Sequence, residues 1–141
     1  MADRNVRIVD NSGKKPVFAQ MPKTASTAFD KNSLVEFASG VVNPSDDNDT
    51  VVFGIIKQEV ASTDSDYATT AAKTVEVIQA GDLVELAYTG SAPTVGASYG
   101  ISNAYTVDQG DTSNKVCSVR SVNTALARCT VTFLNYSTLA V

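Results

Sequence analysis

Two glutamates recur in one phrase: Glu36 in Leu34-Val35-Glu36-Phe37 and Glu85 in Leu83-Val84-Glu85-Leu86. A pair of carboxylates is the minimum that proton-transfer chemistry needs, one group to donate and one to accept. Period-two alternation speaks against it, because it turns both glutamates to the outer face of their strands. Val35 and Phe37 then point inward in the first copy, and Val84, Leu86 and Tyr88 in the second. Other reactive groups are sparse. The chain has no histidine, which removes the commonest general base, the histidine-activated nucleophiles and most catalytic zinc sites. Asp46, Asp47 and Asp49 lack the glycine and the distal glutamate of a helix-loop-helix calcium site and read as a solvated turn. Asp64 with Asp66 and Asp108 with Asp111 read the same way. Cys117 and Cys129 are too few for a disulfide framework and wrongly spaced for zinc, and each sits in an apolar alternating run. They are expected to be reduced thiols lining a core. The chain is expected to be no enzyme, with no catalytic residue, metal site or cofactor.

Nucleic acid is a poor partner for this composition. The net charge is −4, and phosphate contacts need clustered Lys and Arg, whereas Arg120 and Arg128 stand alone. Tyr88, Tyr99 and Tyr105 either form a stacking platform for a sugar or line the wall of a barrel. No run of about eighteen apolar residues exists to span a membrane, and Met1 to Asp10 has no signal-peptide core, so synthesis in the cytoplasm is expected. Only 18% of the residues are charged, below the roughly 25% of an average soluble protein, which suggests that much of the surface is covered by something.

The elements that must position these residues are strands. Alternating or β-branched runs cover Leu34 to Ser39, Thr50 to Val60, Lys73 to Gln79, Leu83 to Tyr88, Ser98 to Val107, Lys115 to Val122 and Ala127 to Leu134. Turn-forming clusters lie at Asn43–Asp49, Gln79–Asp82, Ser91–Ala97 and Asp108–Asn114. The short helical candidate around Ala68 to Lys73 is undercut by its β-branched residues. Many short strands without intervening helices predict an all-β fold, a small barrel closed by a C-terminal hairpin at Lys115–Leu134. The doubled glutamate phrase extends into a second echo, Phe53-Gly54-Ile55 against Tyr99-Gly100-Ile101, and predicts a pseudo-repeat with offsets of 49 and 46 residues. Gly54 and Gly100 would mark bulges or bends in their strands.

Residues 1–31 differ from the rest. They carry a local charge of +3 on a chain that is otherwise −7, and Pro16 with Pro22 excludes a continuous helix. Their apolar residues, Val6, Ile8, Val17, Phe18, Met21 and Phe29, are too many for a solvated tail. Two readings stay open: an extended arm wrapping over a neighbour, with 32–141 forming a single barrel-like domain, or an ordinary edge strand of the chain's own barrel.

The stretches Lys14 to Ser26, Ser33 to Ile56 and Val75 to Ala92, followed by Ser98-Tyr99-Gly100-Ile101-Ser102, resemble the small head-decoration, or cement, proteins of tailed bacteriophages built on the β-tulip type of barrel. The resemblance spans about Leu34 to Val107. It implies a virion protein on the capsid exterior, stabilising the shell through the major capsid protein and through its own neighbours. It implies a homo-oligomer, with a trimer favoured and a dimer possible because the trailing hairpin has no clear counterpart. It places capsid contacts on the arm, at Arg4, Arg7, Lys14, Lys15, Val17, Phe18 and Met21. The alternative is a ligand- or glycan-binding module of a virion fibre or surface appendage.

Overall fold

β-Branched and aromatic alternation yields strands alone. The computed structural model describes residues 5–47 and 49–135, and among them are eleven strands and no helix. These are β1 (Arg7–Asp10), β2 (Phe18–Pro22), β3 (Ser33–Ala38), β4 (Val41–Pro44), β5 (Gly54–Ile56), β6 (Ala72–Val77), β7 (Leu83–Tyr88), β8 (Ser98–Asn103), β9 (Thr106–Asp108), β10 (Cys117–Asn123) and β11 (Arg128–Phe133). The expected run Ser98 to Val107 is broken into β8 and β9, and residues 61–70 form turns rather than a helix.

The strands make two sheets, and each curls into a ring. One has the order β2-β6-β5-β3-β4 and closes where Lys23, just past β2, forms a parallel bridge with Val42 of β4. The other has the order β1-β7-β11-β10-β8-β9 and closes by a parallel pairing of β7 with β9. All other strand pairings are antiparallel. In chain order within each ring, the first strand pairs the fifth, the fifth the fourth, the fourth the second, the second the third, and the third returns parallel to the first. The fold is therefore the same five-stranded barrel built twice, with β1 as an extra strand on the second.

The registers agree to the residue. Adding 65 to both members of Lys23↔Val42 gives Tyr88↔Val107, a pair that closes the second barrel. Adding 65 on β2 and 56 on β6 turns Ala19↔Val75 into Val84↔Val131 and Gln20↔Thr74 into Glu85↔Thr130. The repeat suggested by the glutamate phrase is thereby corrected. β3 is the second strand of its barrel whereas β7 is the first strand of the other, so Glu36 and Glu85 are not counterparts. Gly54 and Gly100 likewise lie on a fourth and a second strand. The counterpart of Leu83-Val84-Glu85-Leu86 is Phe18-Ala19-Gln20-Met21.

One difference between the copies is backbone chemistry. Ala87 N–H donates to Tyr105 O at 3.3 Å as the second barrel closes. Its counterpart Pro22 has no N–H, and the first barrel closes one turn of the pleat later, with Thr24 N–H donating to Val42 O at 3.0 Å. Lys23, fully buried, donates from Nζ to Tyr67 O at 2.9 Å and Thr69 O at 2.6 Å, which ties the long 61–71 connection to the barrel end.

Alternation supplies both cores. Met21, Val35, Val42, Phe53, Ile56, Val75 and Val77 fill the first barrel. Val84, Leu86, Tyr88, Tyr99, Ile101, Val107, Val119, Val131 and Phe133 fill the second, and Leu34, Val52, Ile55 and Ile78 of the first barrel join that cluster. The middle of β3 and β5 is thus covered on both faces, Leu34 and Ile55 on one and Val35 and Ile56 on the other, all fully buried. Burial of each such side chain is worth about 1.5–3 kcal/mol. Backbone bonds from Leu34 N–H to Ala104 O (2.7 Å) and from Val6 N–H to Asn32 O (2.8 Å) join the barrels. Phe37, expected inward, is 38% exposed, because β3 runs past the core before its Ser39–Gly40 turn, and its ring leans on Phe53 with centroids 5.6 Å apart.

The first thirty residues are part of the fold. β1 pairs with β7 and β2 with β6, so the edge-strand reading describes residues 5–31 and the boundary at 31/32 separates no arm from a domain. The physical reason is that Val6, Met21 and Phe29, each less than 10% exposed, have cores to enter. The closing hairpin β10–β11 is present, and it supplies the fourth and fifth strands of the second barrel.

Candidate interaction surface

The sequence-predicted contact residues fall on a stretch of chain that crosses both barrels. Arg4 lies outside the described residues. Arg7, on β1, turns back to its own fold: its Nη2 donates to Glu85 Oε1 at 2.5 Å. Arg128 Nε donates to the same oxygen at 3.2 Å and its Nη2 to Asn5 O at 2.5 Å. Glu85 therefore bridges β1, β7 and β11 and is not a solvated side chain. Burial pushes the Glu85 carboxyl up, but the hydrogen bonds and charges of Arg7 and Arg128 outweigh it and hold the group below the usual glutamate value. Lys14 Nζ donates to Ala80 O and lies 3.8 Å from the buried Asp82 carboxylate. Lys15 contributes its carbonyl, which accepts from Gln79 Nε2 at 3.0 Å. Met21 is 7% exposed and belongs to the core. Of the six expected contacts among the described residues, Val17 and Phe18 present apolar surface, 37% and 57% exposed, and Val9 on β1 adds a third at 48%.

These three side chains accompany two open strand edges. Among the described residues β1 is the end strand of its sheet, paired only with β7, and β2 pairs on one side with β6 and is bridged on the other only at Lys23. Beside β1 runs a groove of about 240 Å³ lined by Ile8, Val9, Asp10, Asn11, Pro16 and Glu76. Its lining sets the Asp10 and Glu76 carboxylates beside Ile8, Val9 and Pro16, and Glu76 lies 3.7 Å from Lys57 Nζ.

A second cavity, about 190 Å³, opens beside Glu85, Arg128, Cys129, Thr130 and the 121–123 stretch, but its acid and its cation neutralise each other. Burial pushes the Cys129 thiol up to about 11 and the Cys117 thiol up to about 12, so neither is a nucleophile near neutrality. Tyr88 and Tyr99, 6% and 7% exposed, are barrel wall. Among the described residues no group of three or more Cys, Asp or Glu is placed to hold a metal ion, and no helix is long and apolar enough to cross a membrane.

No protein-family model, curated protein or solved structure matches the chain.

Sequence reasoning missed Lys23 and Arg128 as buried cations. Their only signal was position: each stands at the end of a strand next to backbone carbonyls that need a donor. It also missed the carboxyl pair Asp49–Glu36. Burial, opposed by the Asp46 backbone hydrogen bond and reinforced by the hydrogen bond and charge of Glu36, raises the Asp49 carboxyl to about 7. An acidic turn next to a strand-borne glutamate was the available sign.

Proposed function

We propose that the protein is a capsid decoration, or cement, protein that binds the outside of a phage head and stabilises the shell through the major capsid protein and neighbouring copies of itself. The observation that carries this reading is the pair of open strand edges, β1 and β2, with Val9, Val17 and Phe18 exposed along one short stretch of chain. Open edges offer unpaired backbone donors and acceptors, and soluble proteins blunt them unless they are used. The sequence resemblance to phage cement proteins, the low charge density and the doubled barrel support it. Many modest contacts on a symmetric shell add through effective concentration. The test is to add purified protein to expanded capsids that lack it. It is expected to bind in stoichiometric amount and to raise the temperature at which the shell ruptures, and Val9→Asp is expected to weaken binding. Capsids that neither take up the protein nor gain heat resistance overturn the reading.

A further inference from the structure

The two barrels differ at one edge. On the second barrel, β1 lies antiparallel along β7, with Arg7 opposite Glu85, Ile8 opposite Val84 and Asp10 opposite Leu83. Subtracting 65 transfers that docking site to Gln20, Ala19 and Phe18 of β2. No strand lies there among the described residues.

The direction of the backbone groups can be read from the bonds on the other side of β2. Val77 N–H donates to Val17 O at 2.8 Å and Lys23 N–H to Ala71 O at 3.1 Å. Antiparallel ladders bond alternate residues to the same neighbour, so Ala19 and Met21 also face β6. Phe18 and Gln20 consequently direct their N–H and C=O groups to the open edge. Their counterparts Leu83 and Glu85 face β1. Pro16 and Pro22 have the same parity as Phe18 and Gln20 and no N–H to offer, which limits the open site to these two residues.

We propose that the β2 edge is a homodimer contact, in which β2 of a second copy adds antiparallel about a twofold axis through Ala19. In that register Phe18 faces Gln20 of the second copy and Gln20 faces its Phe18, and each pair exchanges two backbone hydrogen bonds. The edge is self-complementary in three respects. Every outward N–H meets an outward C=O. The axis falls on the small Ala19 side chains. On the outer face the row becomes Glu76, Phe18, Gln20, Thr74 across the junction, using the cross-strand pairs Phe18↔Glu76 and Gln20↔Thr74, so no two carboxylates stand directly opposite. The exposed Phe18 ring packs over the partner's Gln20 stem. The incoming chain leaves the edge at Pro16, as Val6 leaves β7 to bond Asn32 O. A closed twofold pairing also uses up the edge, so assembly stops at two.

The inference rests on the capsid reading only in placing the contact with neighbouring copies on the β2 edge; the dimer is read in solution without capsids, and capsid uptake is tested at Val9 on β1, so either can fail alone. Sedimentation of the full chain over a wide concentration range is expected to show a monomer–dimer equilibrium. Gln20→Pro, which removes an outward N–H and leaves the β6 ladder intact, and Phe18→Lys are each expected to give monomer at every concentration, with the thermal unfolding midpoint of the dilute protein unchanged. Mixing Phe18→Cys with Gln20→Cys protein is expected to produce a disulfide-linked heterodimer in preference to either homodimer. A wild-type chain that stays monomeric overturns the proposal. So does a dimer that survives both substitutions, or an edge that binds an extended segment of a different protein and not a second copy.

Discussion

Arg128 Nε lies 3.2 Å from Glu85 Oε1, joining β11 to β7, and only 2% of the Arg128 side chain is exposed. A guanidinium so deeply placed depends on its acceptors, which include Glu85 and the Asn5 carbonyl. Glu85→Gln is expected to cost about 1.5–3 kcal/mol of stability, the usual worth of hydrogen bonds to charged groups. Because Arg7 and Arg128 hold the Glu85 carboxyl below its ordinary value, that stability is present above the unfolded pKa and is lost as pH falls through the folded one. Urea titrations at several acidic pH values check it: the difference between wild type and Glu85→Gln should shrink below about pH 4.3.

Asp49 carries the opposite sign. With its carboxyl raised to about 7 by burial and by Glu36, the folded state keeps a proton that the unfolded chain releases near pH 3.9. Folding is therefore favoured at low pH, and stability declines as pH rises from about 4 to 7. Asp49→Asn is expected to abolish that decline and to be more stable than wild type above neutrality, and Glu36→Gln to reduce it. A parallel pH dependence in wild type and Asp49→Asn, measured by chemical denaturation, would refute the pairing.

Leu86 and Phe37 separate what alternation can and cannot locate. Leu86→Ala should cost about 2–5 kcal/mol, since the side chain is fully buried in the second core. Phe37→Ala should cost about 1 kcal/mol, the scale of its single aromatic contact with Phe53. Equal losses in equilibrium unfolding would contradict the exposure assigned to Phe37.

Alternation made the strands, the inward faces of β7 and β11 and the core thiols legible, because each depends only on neighbours along the chain. It misplaced Phe37 because where a strand outruns its core is set by other strands. The repeat was misread for a related reason. Leu-Val-Glu in β3 and β7 is a similarity of letters between non-equivalent strands, while the true counterparts Phe18-Ala19-Gln20-Met21 and Leu83-Val84-Glu85-Leu86 share only the inward positions. Register, not residue identity, is what the two barrels preserve. β4 escaped notice because its four residues are too few for a periodic signal, and β9 was merged with β8 into the single run Ser98 to Val107. At the candidate surface, the sequence pointed to residues 1–31, and Phe18 with Val17 lies exposed there. It had no means of showing that Arg7 and Lys14 pair with their own fold, since those partners come from sites more than sixty residues away.

Gly54 and Gly100, expected to mark bulges or bends, are places where another chain segment comes too close for a Cβ. At Gly54 the added carbon would meet the Glu76 backbone oxygen and, at 2.7 Å, Val75 Cγ1. At Gly100 it would meet the Asp111 carboxylate and, at 2.8 Å, the Asn114 carbonyl oxygen. Neither has the positive φ that would make glycine necessary on backbone grounds. The two substitutions should differ. Gly54→Ala presses on a ladder between β5 and β6 that cannot move without separating the strands, and should cost about 1–3 kcal/mol, at the upper end of that range. Gly100→Ala presses on Asp111, which can swing, but its carboxylate accepts from the Ser113 and Asn114 N–H groups, each at 3.0 Å, and caps the turn before β10. The smaller cost there should come with faster hydrogen exchange at Ser113 and Asn114, while Gly54→Ala should leave those amides unchanged. An unstrained site would instead gain about 0.4–1 kcal/mol from either change through the unfolded chain, so a stabilised Gly54→Ala would contradict the close approach of β5 to β6.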